Sequence, residues 1–140
     1  MIAESKSDSG RKPTVEVGDC VVASGTNQVS CVEVVHEQDH WEIVSCSYFD
    51  SKGDFHFQSL RSAALQVFPR TILDRKLSRG DAVKLKSGGP SMIILELWHE
   101  DEGVVAVCEW IGPSSHVRRR GFAEPTLVPA DIVDHLTSVC

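Results

Sequence analysis

Residues 79–129 read RGDAVKLKSGGPSMIILELWHEDEGVVAVCEWIGPSSHVRRRGFAEPTLVP. Three apolar, β-branched runs in it, Ala82–Leu85, Met92–Leu97 and Val104–Cys108, are separated by Ser87-Gly88-Gly89-Pro90, Gly103 and Gly112-Pro113. This is a strand-and-turn rhythm with no room for a long helix. It predicts a small, strongly bent antiparallel sheet.

The order of these words is VKLKSGGPSMII (Val83–Ile94), then an apolar strand with Cys108 and Trp110, then Phe122 and Leu127. It resembles the YodC-like family of small bacterial proteins. The resemblance covers roughly the second half of the chain and is most specific over Val83–Met92 and Cys108-Glu109-Trp110. Where that family usually has an aromatic after the tryptophan, this chain has Ile111, an equally good strand residue. The resemblance implies a fold and carries no biochemical role.

Repeats are sought before residue-level features because they set the whole architecture. Val17-Gly18-Asp19-Cys20-Val21 lines up with Arg79-Gly80-Asp81-Ala82-Val83, and Ser24-Gly25 with Ser87-Gly88. His36-Glu37 falls on His99-Glu100, Cys46-Ser47-Tyr48 on Cys108-Glu109-Trp110, Phe57 on Phe122, and Leu65 on Leu127. The register slips only at turns, where insertions are tolerated. Two copies of one β-module are therefore expected, the first a diverged copy of the YodC-like second.

Five or so short strands per module predict an SH3-like barrel for each, since a small sheet must bend to protect its edges. The expected organisation is all-β, with two tandem SH3-like antiparallel barrels packed together. It comprises a disordered leader over 1–13, a first module over 14–68, a connector over 69–78, a second module over 79–130 and a short C-terminal helix over 131–140. Side chains alternate along strands, so Val44, Cys46 and Tyr48 should share one core face, as should Ala106, Cys108 and Trp110. The connector is short and carries Ile72, Leu73 and Leu77, which argues that the modules touch.

Net charge is −6, with 14 Lys and Arg against 20 Asp and Glu. Neither half has the basic excess of a protein held to nucleic acid by phosphate contacts. No segment approaches the length of a bilayer span, and residues 1–13 lack the apolar centre of a signal peptide, so a cytoplasmic protein without membrane contact is expected. Five cysteines without CxxC spacing resemble neither a disulfide framework nor a zinc ribbon. Cys46 and Cys108, at equivalent repeat positions, read as buried reduced thiols.

His36-Glu37-Gln38-Asp39-His40 is a literal H-E-x-x-H. In zinc peptidases that spacing works because a helix sets both imidazoles on one face. Here Cys31–Val35 and Trp41–Val44 flank it with β-rich sequence, so a hairpin is predicted and a zinc hydrolase is the unfavoured alternative; His56 and Glu33 are unmarked candidates for a third ligand. Cys20, His36 and Asp19 lack the local context of an activated nucleophile. Ser87-Gly88-Gly89-Pro90 lacks the Lys and helix of a phosphate loop.

No catalytic residue, metal or cofactor is assigned. The expectation is a non-enzymatic binding protein, an adaptor or an inhibitor of a larger complex, such as a phage-type blocker of a host defence machine. Its candidate contact residues are exposed aromatics, Trp41 and Trp98, and acidic turn residues, Glu37, Asp39, Glu100, Asp101 and Glu102. The expected partner is another protein with a basic surface, with homodimerisation through the C-terminal tail as a further option. Nucleic-acid binding through Arg118, Arg119 and Arg120 is the alternative.

Overall fold

The computed structural model describes residues 15–69 and 76–130. Sheet A contains β1 (Cys20–Ala23), β2 (Val29–Gln38), β3 (Trp41–Phe49), β4 (Phe55–Arg61) and β5 (Leu65–Val67), in the order β4-β3-β2-β1-β5. Sheet B contains β6 (Ala82–Leu85), β7 (Met92–Glu100), β8 (Gly103–Ile111), β9 (Val117–Ala123) and β10 (Leu127–Pro129), in the order β10-β6-β7-β8-β9. All pairs are antiparallel, and the only helical elements described are three short 3-10 turns. One of them, Ser62–Ala64, immediately precedes β5. The helix expected over 131–140 lies outside the described residues.

The two sheets have one strand order and one register. Each paired residue in sheet B is numbered 62 above its counterpart in sheet A: Cys31↔Ser47 corresponds to Ile93↔Glu109, and Phe49↔Phe55 to Ile111↔Val117. The β-bulge recurs at the same place, between Val32 and Val34 and between Ile94 and Glu96. The repeated Gly-Asp has a local cause. Gly18 (φ 96°) and Gly80 (φ 91°) donate to the carbonyls of Val32 and Ile94, both at 2.8 Å, from a backbone conformation that disfavours a side chain. The carboxylates of Asp19 and Asp81 accept from the amides of Glu16 and Ser78 at 2.9 and 2.8 Å, closing each turn. Residues 15–19 thus form a turn, and the first strand begins at Cys20.

The constant offset corrects the sequence register. His36 corresponds to Trp98 and Glu37 to His99, Ser24 to Lys86, and Phe57 to Arg119; Phe122 corresponds to Leu60. The slips assumed at turns do not occur, because the paired positions of the two sheets keep one constant spacing.

The barrels are not closed. Edge strands β4 and β5 of sheet A do not pair with each other, nor do β9 and β10 of sheet B. The concave side of sheet B, carrying Ala106, Cys108 and Trp110, is covered instead by the opposite, outer face of sheet A. Phe49 meets Trp110 edge-on at 5.3 Å between ring centroids, and Phe55 meets Phe122 at 5.7 Å. One hydrophobic cluster consequently spans both sheets, joining Cys20, Cys31 and Phe49 to Leu85, Met92, Trp110 and Phe122. A smaller one, Val15, Val21, Val32, Val44 and Cys46, lies within sheet A. Contact is close: a Cβ at Gly89 would fall 2.5 Å from the Phe49 ring, and one at Gly18 2.7 Å from Pro125. The expected touching of the modules is thus an extensive shared core.

The packing is head-to-tail, since the outer face of sheet A meets the concave face of sheet B. Equivalent residues therefore have unequal environments. Phe49 is buried, whereas Ile111, its counterpart, is 61% exposed. Phe49→Ala should lower stability by about 3–5 kcal/mol in urea unfolding. Ile111→Ala should change it by no more than about 0.5 kcal/mol. Equal losses would contradict the head-to-tail arrangement.

Candidate interaction surface

The β2–β3 and β7–β8 hairpins carry most of the residues singled out in the sequence. Gln38 pairs with Trp41 across the two-residue turn Asp39-His40, whose φ values are 51° and 72°. Two successive positive φ angles are those of a type I′ hairpin turn. His36 and Glu37 therefore lie on a strand, on opposite faces, with His40 in the turn, and the one-face geometry that H-E-x-x-H chemistry needs is not formed. Among the described residues no three or more His, Cys, Asp or Glu side chains come together to hold a metal ion. The second hairpin turns at Asp101-Glu102, between paired Glu100 and Gly103, and its positive φ falls on Gly103 (134°).

Both tips are exposed and acidic. Glu37 stands directly opposite Glu42, a like-charge cross-strand pair that costs rather than stabilises. Glu37, Asp39, Glu100, Asp101 and Glu102 are all exposed. Trp41 is 49% exposed, with the Arg61 guanidinium 4.0 Å above its ring. Trp98 is 54% exposed.

Trp98 opens onto a larger apolar surface that inspection of single residues did not reveal. Ala106, Cys108 and Trp110 face the concave side, so alternation places Val105, Val107 and Ile111 on the outer face, together with Trp98 opposite Val105. Ile93 opposite Glu109, and Val117 opposite Ile111, extend the same face. Ile93, Ile111 and Val117 are 45%, 61% and 58% exposed. A run of exposed large apolar residues on one sheet face marks an interaction surface more often than isolated ones do. The signal in sequence was apolar residues at both parities of β8, which implies burial or binding on two sides.

The arginine run is divided by strand alternation. Arg120 lies on the concave side, where its Nη1 donates to both carboxylate oxygens of Glu33, at 3.1 and 2.9 Å. Its guanidinium also lies 4.6 to 5.0 Å from the rings of Phe55, Phe57 and Phe122. Arg119 points outward and bonds Glu109 at 2.8 Å. A groove of about 380 Å³ beside them is lined by Asp54, Phe55, Trp110, Pro113 and all three arginines. Arg120 thus works inside the fold, as a charge that clamps the two sheets, while Arg118 and Arg119 are exposed at the groove.

The cysteines follow the same division. Cys31, Cys46 and Cys108 are free and buried, whereas Cys20 is disulfide-bonded. Cys31 sits in the seam: its thiol accepts from the Ser87 amide at 3.2 Å and lies 3.9 Å from the Thr126 carbonyl oxygen. Burial pushes the Cys31 thiol up to about 11, with the Ser87 hydrogen bond opposing, and pushes Cys46 and Cys108 up to about 12. None has the depressed pKa of a nucleophile. Asp50 is held below the usual carboxylate range by a hydrogen bond from His56, then by the Asp54 amide, and these contacts close the β3–β4 turn.

Residues 78–127 match the model of a family described as an uncharacterized small protein (DUF2158). The match spans sheet B from its Gly-Asp turn to the first residue of β10 and does not include sheet A. No curated protein and no solved structure matches the chain. No helix among the described residues is long and apolar enough to cross a membrane.

Two outcomes check this surface chemistry. Arg120→Ala leaves the Glu33 carboxylate buried and should cost about 3 kcal/mol. Arg119→Ala removes an exposed pair and should cost less than about 1 kcal/mol, both read by urea unfolding. In native protein at pH 8, Cys31, Cys46 and Cys108 should resist a thiol reagent, and react on addition of denaturant. Rapid native labelling of any of the three would contradict their burial.

Proposed function

We propose that the protein is a non-enzymatic binding protein that acts through contact with another protein, as an adaptor or inhibitor. Its binding surface is the pair of acidic hairpin tips with the adjoining tryptophans. The observation that carries this reading is Trp98, half exposed between the acidic turn Glu100–Glu102 and an apolar strand face. Aromatic anchors of this kind supply much of the energy of protein interfaces, and surrounding charge selects the partner and speeds encounter. The matching partner has an apolar cleft for the indole, rimmed by Lys and Arg. In this reading each sheet is an incompletely closed SH3-like module, the second YodC-like and the first its diverged copy, which the shared register of the two sheets supports.

Capture of partners by tagged full-length protein tests the proposal. Trp98→Ala should reduce capture of the native partner at least tenfold, a loss of about 1.4 kcal/mol or more. Exchange of Glu100, Asp101 and Glu102 for lysine should weaken capture while leaving the unfolding midpoint nearly unchanged. Undiminished capture by both variants would overturn it, as would salt-sensitive nucleic-acid binding that Arg118→Ala abolishes.

A further inference from the structure

The two sheets are equivalent in register, yet only one of the two possible sheet-on-sheet contacts is made within the chain. Sheet A docks through its outer face, using Cys31, Phe49 and Phe55, onto the concave face of sheet B. The counterparts of these three on the outer face of sheet B are Ile93, Ile111 and Val117. They remain apolar and are the exposed residues described above. At the other end, Val21, Val32, Val44 and Cys46 are buried in the concave face of sheet A, but its rim is accessible. Trp110, Phe122 and Pro125, which receive sheet A within the chain, correspond to Tyr48, Leu60 and Ala63; none of these is fully buried.

From this geometry we infer that the outer face of sheet B, through Ile93, Ile111 and Val117, docks onto the concave face of sheet A of a second copy of this chain, repeating between molecules the contact made within each. The surface adjoins Trp98 on the same sheet face, but its contact residues are Ile93, Ile111 and Val117, and the inference does not depend on the function assigned to the hairpin tips.

Counterpart residues meet compatibly. The buried ion pair Glu33–Arg120 is replaced at the intermolecular position by Leu95 and Gln58, so no unpaired charge is carried into the contact. Pro125 presses against Gly18 within the chain; Gly80, the counterpart of Gly18, has nothing within 4 Å of an added Cβ, which leaves room for an approaching Ala63. The Glu109–Arg119 pair, at the counterpart positions of Ser47 and Phe57, enters the contact with its two charges already bonded to each other.

A contact between two different faces is heterologous. It leaves one unused face on each end, so it propagates into a chain of molecules unless the rotation closes a ring. This predicts a distinctive complementation. Ile111→Glu blocks the outer face of sheet B, and Ala63→Arg blocks the concave face of sheet A. Both positions are exposed, so each variant should fold, which circular dichroism checks.

Sedimentation velocity of purified full-length protein at rising concentration should show wild type growing from one chain to dimers and larger species. Each variant alone should stay at the mass of one chain. An equimolar mixture of the two should form a dimer and nothing larger, because only one productive pair of faces remains. Wild type that holds the mass of one chain throughout would overturn the inference, as would association that persists in Ala63→Arg alone or a mixture that stays monomeric.

Discussion

The fold depends on the rings of Phe49 and Phe55 being set against Trp110 and Phe122. Neither sheet is closed by hydrogen bonding between its edge strands, so each needs a partner for its apolar face. Sheet B obtains that partner from sheet A. The rest of the seam follows from this insertion: Gly89 must lack a side chain, the Cys31 thiol is enclosed, and Arg120 is held where it reaches Glu33 while lying against three rings. A guanidinium is suited to this place, because it can stack on aromatic faces while its N–H groups satisfy a buried carboxylate.

Two sheets of one register packed front to back cannot have equivalent surroundings. This asymmetry explains residue choices that the pairing register alone leaves open. Phe49 and Phe55 are aromatic where the face is covered, and Ile111 and Val117 are smaller where the same face is open. Phe57 lies beneath Arg120, while its counterpart Arg119 carries an exposed ion pair with Glu109. The hairpin tips lie beyond the shared core in both sheets, so their acidic residues and tryptophans can vary at little cost to folding.

Much of the fold was legible in the sequence. Strand and turn rhythm marked most strands, the repeated Gly-Asp marked the turn that enters each sheet, and Cys-x-aromatic marked the buried side of β3 and β8. The β-rich flanks of His36–His40 correctly indicated a hairpin. The register was misread where identity of residue type was followed instead of constant spacing: His36-Glu37 and His99-Glu100 look alike but are displaced by one position, and Phe57 is not the counterpart of Phe122. Barrel closure and the outer face of sheet B were not legible, because a strand pattern shows which residues alternate but not which of two apolar faces another sheet covers. The Arg118–Arg120 run showed basic charge but not that Arg120 is drawn into the seam by Glu33, a partner 87 residues away in sequence.

A shared core makes the two sheets one cooperative unit, and native-state hydrogen exchange measures this directly. With rising denaturant below the unfolding transition, the amides of β3 and β8 should converge on a single opening free energy equal to that of global unfolding. Exchange of β3 through a separate, lower-energy opening, with β8 still protected, would show that sheet B stands without sheet A and would contradict the dependence of each sheet on the other.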